Sequence, residues 1–215
     1  MHSRKKSSSK RLGLRFCLLF LIILLVILGI FVYKIVSGLK NPIDLGIVSE
    51  YKDYEEFISE VGIELGSDDY SLCFTCPVKY EGSHKAIVNL SNEEASAWFD
   101  AVNTEVRLIK DTQIKFEEDK VSISTNFMYQ GQDFPVFVSG DVFKSFKNTV
   151  SIDLYEAKLG TVPVPKQYVE KLDDLLTEFT NKKLGEIDSF RIDKLEVRGG
   201  FLEFEGIVPD KATGM

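Results

Sequence analysis

The run FCLLFLIILLVILGIFVY, Phe16 to Tyr33, holds 18 residues with no charge and no proline. A helix of that length satisfies its own backbone and reaches across a hydrocarbon core, so a transmembrane helix is the default reading. Ile35 and Val36 extend the run past Lys34, whose aliphatic stem can snorkel, and the anchor is placed at residues 16–36. A cleaved signal peptide is the alternative. The basic start and the small residues of VSG (Val36–Gly38) fit it, but an apolar core of 18 exceeds the roughly 7–15 residues of such segments, which favours an uncleaved anchor. LRFC, ending at Cys17, lacks the small residues of a lipobox, so Cys17 reads as a membrane-helix residue.

Orientation follows from basic residues. Arg4, Lys5, Lys6, Lys10, Arg11 and Arg15 precede the run, and only Lys34 and Lys40 flank its far end. This predicts a cytoplasmic N-terminus and an extracytoplasmic remainder, a single-pass protein of the cell membrane. Residues 1–15 read as a basic cytoplasmic tail, 37–48 as a linker containing Pro42, 49–209 as the extracytoplasmic domain and 210–215 as a frayed tail. Eight of the 26 Lys and Arg lie in the first forty residues, which leaves 18 against all 33 Asp and Glu, a formal charge of −15. An acidic domain of this kind argues against nucleic acid and other polyanionic partners.

Hydrophobic periodicity gives the domain's elements. Tyr54, Phe57, Ile58 and Val61 stand at helical spacing, with Ser49 as the expected N-cap and Gly62 as the stop. HKAIVNL reads as a strand, and SNEE opens a second helix with a capping box from Ser91 to Glu94 and an apolar face of Ala95, Trp98, Phe99 and Val102. A hairpin turning at Glu117–Lys120 and the alternating runs DFPVFVSGDVF and NTVSIDLYEAKLG form a meander. GTVPVP leads to the longest helix, about Lys166 to Lys183, striped by Tyr168, Leu172, Leu175, Leu176 and Phe179, with Glu170, Asp173, Asp174 and Lys182 off the stripe. Two strands, around Leu195–Val197 and Phe201–Phe204, flank the turn pair Gly199–Gly200. The fold class expected is α+β: an N-terminal transmembrane helix, then a curved, mainly antiparallel sheet packed on a long amphipathic helix.

YSLCFTCPVKY carries the one Cys-x-x-Cys. A structural zinc site needs a second pair of ligands, and His84 is the only imidazole on that side of the anchor, so no metal and no cofactor are expected. A thioredoxin-like role needs the pair at a helix N-terminus. The period-2 apolar row Tyr70, Leu72, Phe74, Cys76, Val78 and Tyr80 instead makes this a strand, with Cys76 inward and Cys73 outward. Outside the cytoplasm the pair reads as strand residues or as a structural disulfide, Cys73 with Cys76. No phosphate loop, nucleophile elbow or metalloprotease motif occurs, and the acidic pairs lie at turns or on polar helix faces, so the domain reads as non-catalytic. What remains is shaped apolar surface. Trp98 and Phe99 with Leu172, Leu175 and Phe179 either fill the space between helix and sheet or line a groove for an acyl chain.

NLSNEEASAWFDAVN, then IKFEEDKVSIS, then VSIDLYEAKLGTVPVP before a long helix, and the closing LEVRGGFLEFEGIVP form an ordered set. Over roughly Lys85 to Pro209 this order resembles the extracytoplasmic YpmS-like and LmeA-like proteins of bacteria, with Gly160, Pro163 and Pro165 and the GGFLEFEG hairpin carrying most of the likeness. The resemblance implies a lipid-binding helix-and-sheet fold similar to the TULIP superfamily. The expected function is a membrane-anchored extracytoplasmic module that binds lipid or another amphipathic envelope molecule. The alternative is a bitopic scaffold with a filled core, no ligand and an envelope protein as its partner.

Overall fold

The computed structural model describes residues 25, 27–30, 33–34, 36–66, 78–102 and 108–214. The expected span 16–36 lies largely outside them, as do Cys73 and Cys76; among the described residues no helix is long and apolar enough to cross a membrane. The described residues of the run (Leu25, Ile27, Leu28, Ile30, Tyr33, Val36) are helical and exposed.

The domain is α+β with mainly antiparallel sheets. In chain order its elements are α1 (Tyr51–Val61), β1 (Glu64–Leu65), β2 (Val78–Glu81), β3 (His84–Ser91), α2 (Asn92–Val102), β4 (Ile109–Glu117), β5 (Lys120–Tyr129), β6 (Gln132–Phe146), β7 (Thr149–Leu159), β8 (Val162–Pro163), α3 (Lys166–Gly185), β9 (Arg191–Arg198), β10 (Phe201–Val208) and β11 (Lys211–Gly214). β4 to β8 form a five-stranded meander in sequence order; β3, β10 and β9 form a second sheet; β1, β11 and β2 form a third. The tail read as frayed is instead the central strand of that third sheet, parallel to β1 and antiparallel to β2. Its short sequence hides the role, because among its described residues Ala212 alone is buried and the ladder to β1 and β2 supplies the rest.

The helix boundaries follow local chemistry. α2 starts at the expected capping box: Ser91 N–H donates to Glu94 at 2.8 Å and Glu94 N–H donates to Ser91 Oγ at 3.2 Å. α1 is capped one residue later than expected, by Glu50, whose N–H donates to Asp53 at 2.7 Å. It stops at Gly62, where φ is 77°, a left-handed conformation that a residue with a Cβ resists.

Two clusters form the core. Ala95 of α2 packs with Ile114 and Phe116 of β4, Val121 of β5 and Val197 of β9, joined by Leu90, Phe99 and Leu202. Val61 of α1 packs with Ala86 and Val88 of β3 and Val208 of β10, joined by Phe57 and Phe204. One face of β3 and β10 serves both clusters, since Ala86, Val88 and Leu90 alternate with the exposed Lys85, Ile87 and Asn89. That outer face is laced with ion pairs, Lys85–Glu205 at 2.6 Å and Lys194–Glu203 at 2.7 Å, which also keeps it soluble.

The opposite face of the meander is crossed by residues 38–48, the stretch read as a linker. Thr161 N–H donates to Gly38 O at 2.9 Å, Ser124 Oγ donates to Ile43 O, and Leu45 N–H donates to Gln113 Oε1 at 2.6 Å. Ile43, Leu45 and Ile47 turn inward in alternation with the exposed Asp44, Gly46 and Val48. The chain thus runs as a strap from the β7–β8 turn across β5 to β4 before α1 begins. Ser122, Ser124 and Ser139, small enough to admit it, are buried on this face.

Candidate functional site

α3 lies along β7 and meets it with two kinds of side chain. Asp173, Thr177 and Asn181 recur every four residues and so share one stripe of the helix. The last two take up outward backbone groups of β7: Ile152 N–H donates to Thr177 Oγ1 at 3.3 Å and Val150 N–H to Asn181 Oδ1 at 2.8 Å, while Asp173 stands near the backbone of Leu154 with its Oδ1 buried and without a hydrogen-bond partner among the described residues. Asn181 Nδ2 also donates to Val150 O at 2.8 Å. The helix therefore does for β7 what a further strand would do, and the edge is blunted against foreign strands. Burial, helped by Asp153 and Asp174, raises the Asp173 pKa.

Beyond this stripe the helix turns apolar. Val169 is buried, Leu172 and Leu176 are half-buried, and Tyr168, Leu175 and Phe179 are 53%, 62% and 43% exposed. Exposed apolar residues also gather on the core face of the meander, at the end that the second sheet does not cover. The pairing register aligns Ile109, Phe127 and Phe134 across β4, β5 and β6, and Val136 with Leu159 across β6 and β7. Phe127, Phe134 and Leu159 are 36%, 39% and 43% exposed. Leu159 ends β7, and the short β8 that pairs with it delivers the chain straight into α3. The sheet end and the N-terminal half of α3 are thus adjacent along the chain.

The five residues singled out for a groove do not come together as one lining. Trp98 sets its ring edge-on against Phe57 of α1 at 6.4 Å and against Phe99 at 5.7 Å, and Phe99 packs into the first core cluster. Both are half-buried, Trp98 where α2 meets α1 and Phe99 on the cluster that includes β4. Leu172, Leu175 and Phe179 stand on α3, beside β7, with β5 and β6 between the two groups. The sheet residues Phe127, Phe134 and Leu159 were not singled out from sequence. Their signal was alternation on a strand, which says that a residue shares the core face but not whether anything covers it.

His84 is held at both ring nitrogens. It opens β3, with Nδ1 2.8 Å from Asp210 and Nε2 2.9 Å from Val61 O. Two acceptors around one ring favour the imidazolium, and the Val61 carbonyl first and the Asp210 carboxylate second raise its pKa above 6.5. With both nitrogens engaged, neither is left to act as a general base in this arrangement. Among the described residues no group of three His, Cys, Asp or Glu gathers as a metal would need. An open hollow of about 450 Å³ lies beside α1, lined by Tyr51, Tyr54, Glu55, Ile58, Ile63 and Leu65 among others. Comparison of the chain with family models, with curated proteins and with solved structures finds no match.

Proposed function

We propose that the protein is a membrane-anchored extracytoplasmic module that binds lipid or another amphipathic envelope molecule, in the manner implied by its likeness to YpmS-like and LmeA-like proteins. In this reading residues 16–36 span the membrane with the N-terminus inside, and the meander is a curved sheet around α3. The ligand's apolar part lies between the α3 residues Tyr168, Leu172, Leu175 and Phe179 and the sheet residues Phe127, Phe134 and Leu159. The observation that carries the proposal is the presence of two exposed apolar surfaces, one on the helix and one on the sheet end that leads into it along the chain. Water in contact with both is displaced by an acyl chain, at a gain of about 0.8 kcal/mol per methylene buried.

A scaffold with no ligand is the second reading, and the filled contact of Trp98 with Phe57 speaks for it at the α2 side. Native mass spectrometry of the full chain from a membrane-containing host, followed by solvent extraction, separates the two. Near-stoichiometric lipid is expected. An apo mass that persists after incubation with envelope lipids overturns lipid binding and leaves the scaffold.

A further inference from the structure

The chain that joins the apolar run to the domain is clamped rather than tethered. Helical residues continue to Gly38, which is buried. Its carbonyl accepts from Thr161 N–H at 2.9 Å and from the Thr161 hydroxyl at 3.3 Å. Gly160 packs so closely on Gly38 and Leu39 that a Cβ on it would fall 2.1 Å from Gly38 O. The strap of residues 38–48 then holds the chain against the sheet. The chain at Gly38 is therefore held at a fixed point, the β7–β8 turn. From Thr161 only five residues of chain, at most about 17 Å, lead to the first turn of α3.

The two segments that meet at this point, 33–43 and 160–172, carry Lys34, Lys40, Lys166 and Lys171 and a single acid, Glu170. Glu170 approaches Lys166 no closer than 3.9 Å, with both side chains largely exposed. In a chain whose residues after the first forty hold 18 basic against 33 acidic groups, these segments lean basic, with Asp44, Asp173 and Asp174 directly beyond their ends. Two exposed tyrosines, Tyr33 and Tyr168, lie in them, and Lys171 lies over the Tyr168 ring at 5.9 Å. Lysine beside tyrosine suits the boundary between headgroups and water, where the ring has one apolar side and one wet end.

We infer that this rim is a docking surface for the anionic phospholipid headgroups of the bilayer that holds residues 16–36. The inference rests on the anchoring proposed above and not on a bound lipid. The Gly38 clamp sets the domain's tilt, and the lysines hold the N-terminal end of α3 down, so the apolar surfaces open toward the bilayer. Each lysine near an anionic surface strengthens attachment roughly fivefold.

The test is amine acylation with a water-soluble reagent, read by mass spectrometry on the full chain. The chain is held in detergent, in phosphatidylcholine nanodiscs, and in nanodiscs with a quarter phosphatidylglycerol. Lys52, at the far end of the strap, is the internal reference. Lys166 and Lys171 are expected to lose reactivity by roughly threefold or more in the anionic discs, with a smaller loss in the neutral ones. Equal reactivity of Lys52, Lys166 and Lys171 ratios in all three settings overturns the docking, as does a chain that does not enter nanodiscs. Protection without extractable lipid supports the docking and counts only against the binding proposal.

Discussion

The side chain of Asn181 hydrogen-bonds both the N–H and the C=O of Val150, each at 2.8 Å. A helical residue thereby copies the two-bond exchange of a neighbouring strand residue. Replacing Asn181 with leucine keeps the bulk and leaves both backbone groups of Val150 without partners. Stability is expected to fall by about 1–3 kcal/mol, measured by urea unfolding, while Lys182→Ala one residue away changes little. An unchanged midpoint for Asn181→Leu would mean that water serves the β7 edge equally well.

His84 makes stability depend on pH. Its folded pKa lies above 6.5, so the folded state holds the proton more tightly than the unfolded chain does. The stabilisation is fully present below the unfolded value and is lost as pH rises through the folded one. The urea midpoint of the wild type should decline from pH 6.5 upward relative to His84→Gln, which does not titrate. Parallel pH profiles for the two proteins would remove the clasp with Asp210 and Val61 as a contributor.

Gly160 has a φ of 57° and touches Gly38 and Leu39 through its backbone. Gly160→Val combines an unfavourable left-handed conformation with a clash on the strap, at a cost of roughly 1–3 kcal/mol. Hydrogen exchange is expected to speed up over residues 38–48 specifically. Exchange that rises evenly over the whole domain would show that the strap is not a separable unit.

Leu175 and Trp98 should behave in opposite ways. Leu175→Asp places a charge on an exposed position, so the melting temperature should hardly move, within about 0.5 kcal/mol, while co-purifying lipid is lost. Trp98→Ala removes a half-buried aromatic contact and should cost about 1–3 kcal/mol, with lipid retained in whatever fraction folds. Retained lipid in a folded Leu175→Asp variant would move the ligand away from α3.

The sequence by itself determined the apolar run, the three helices, the Ser91–Glu94 cap, the Gly62 stop and the Gly199–Gly200 hairpin. Each is set by residues within a turn or two of one another, so local periodicity and turn chemistry suffice. It also placed Asp173 off the apolar stripe of α3, but a polar residue on a helix looks the same whether it faces water or a strand edge. The packing of α3 on β7 is what turns Asp173 inward and gives Thr177 and Asn181 the backbone of β7 to bind. Only the tertiary structure turned residues 38–48 from a linker into a strap, because the serine-floored face that receives Ile43 and Leu45 is built by strands some 80 residues later. It likewise made Lys211–Gly214 a central strand and set Trp98, half-buried, against Phe57 while leaving Leu175 in the open. Those outcomes depend on which surfaces meet, and burial and backbone pairing between distant segments leave no pattern in the segment itself.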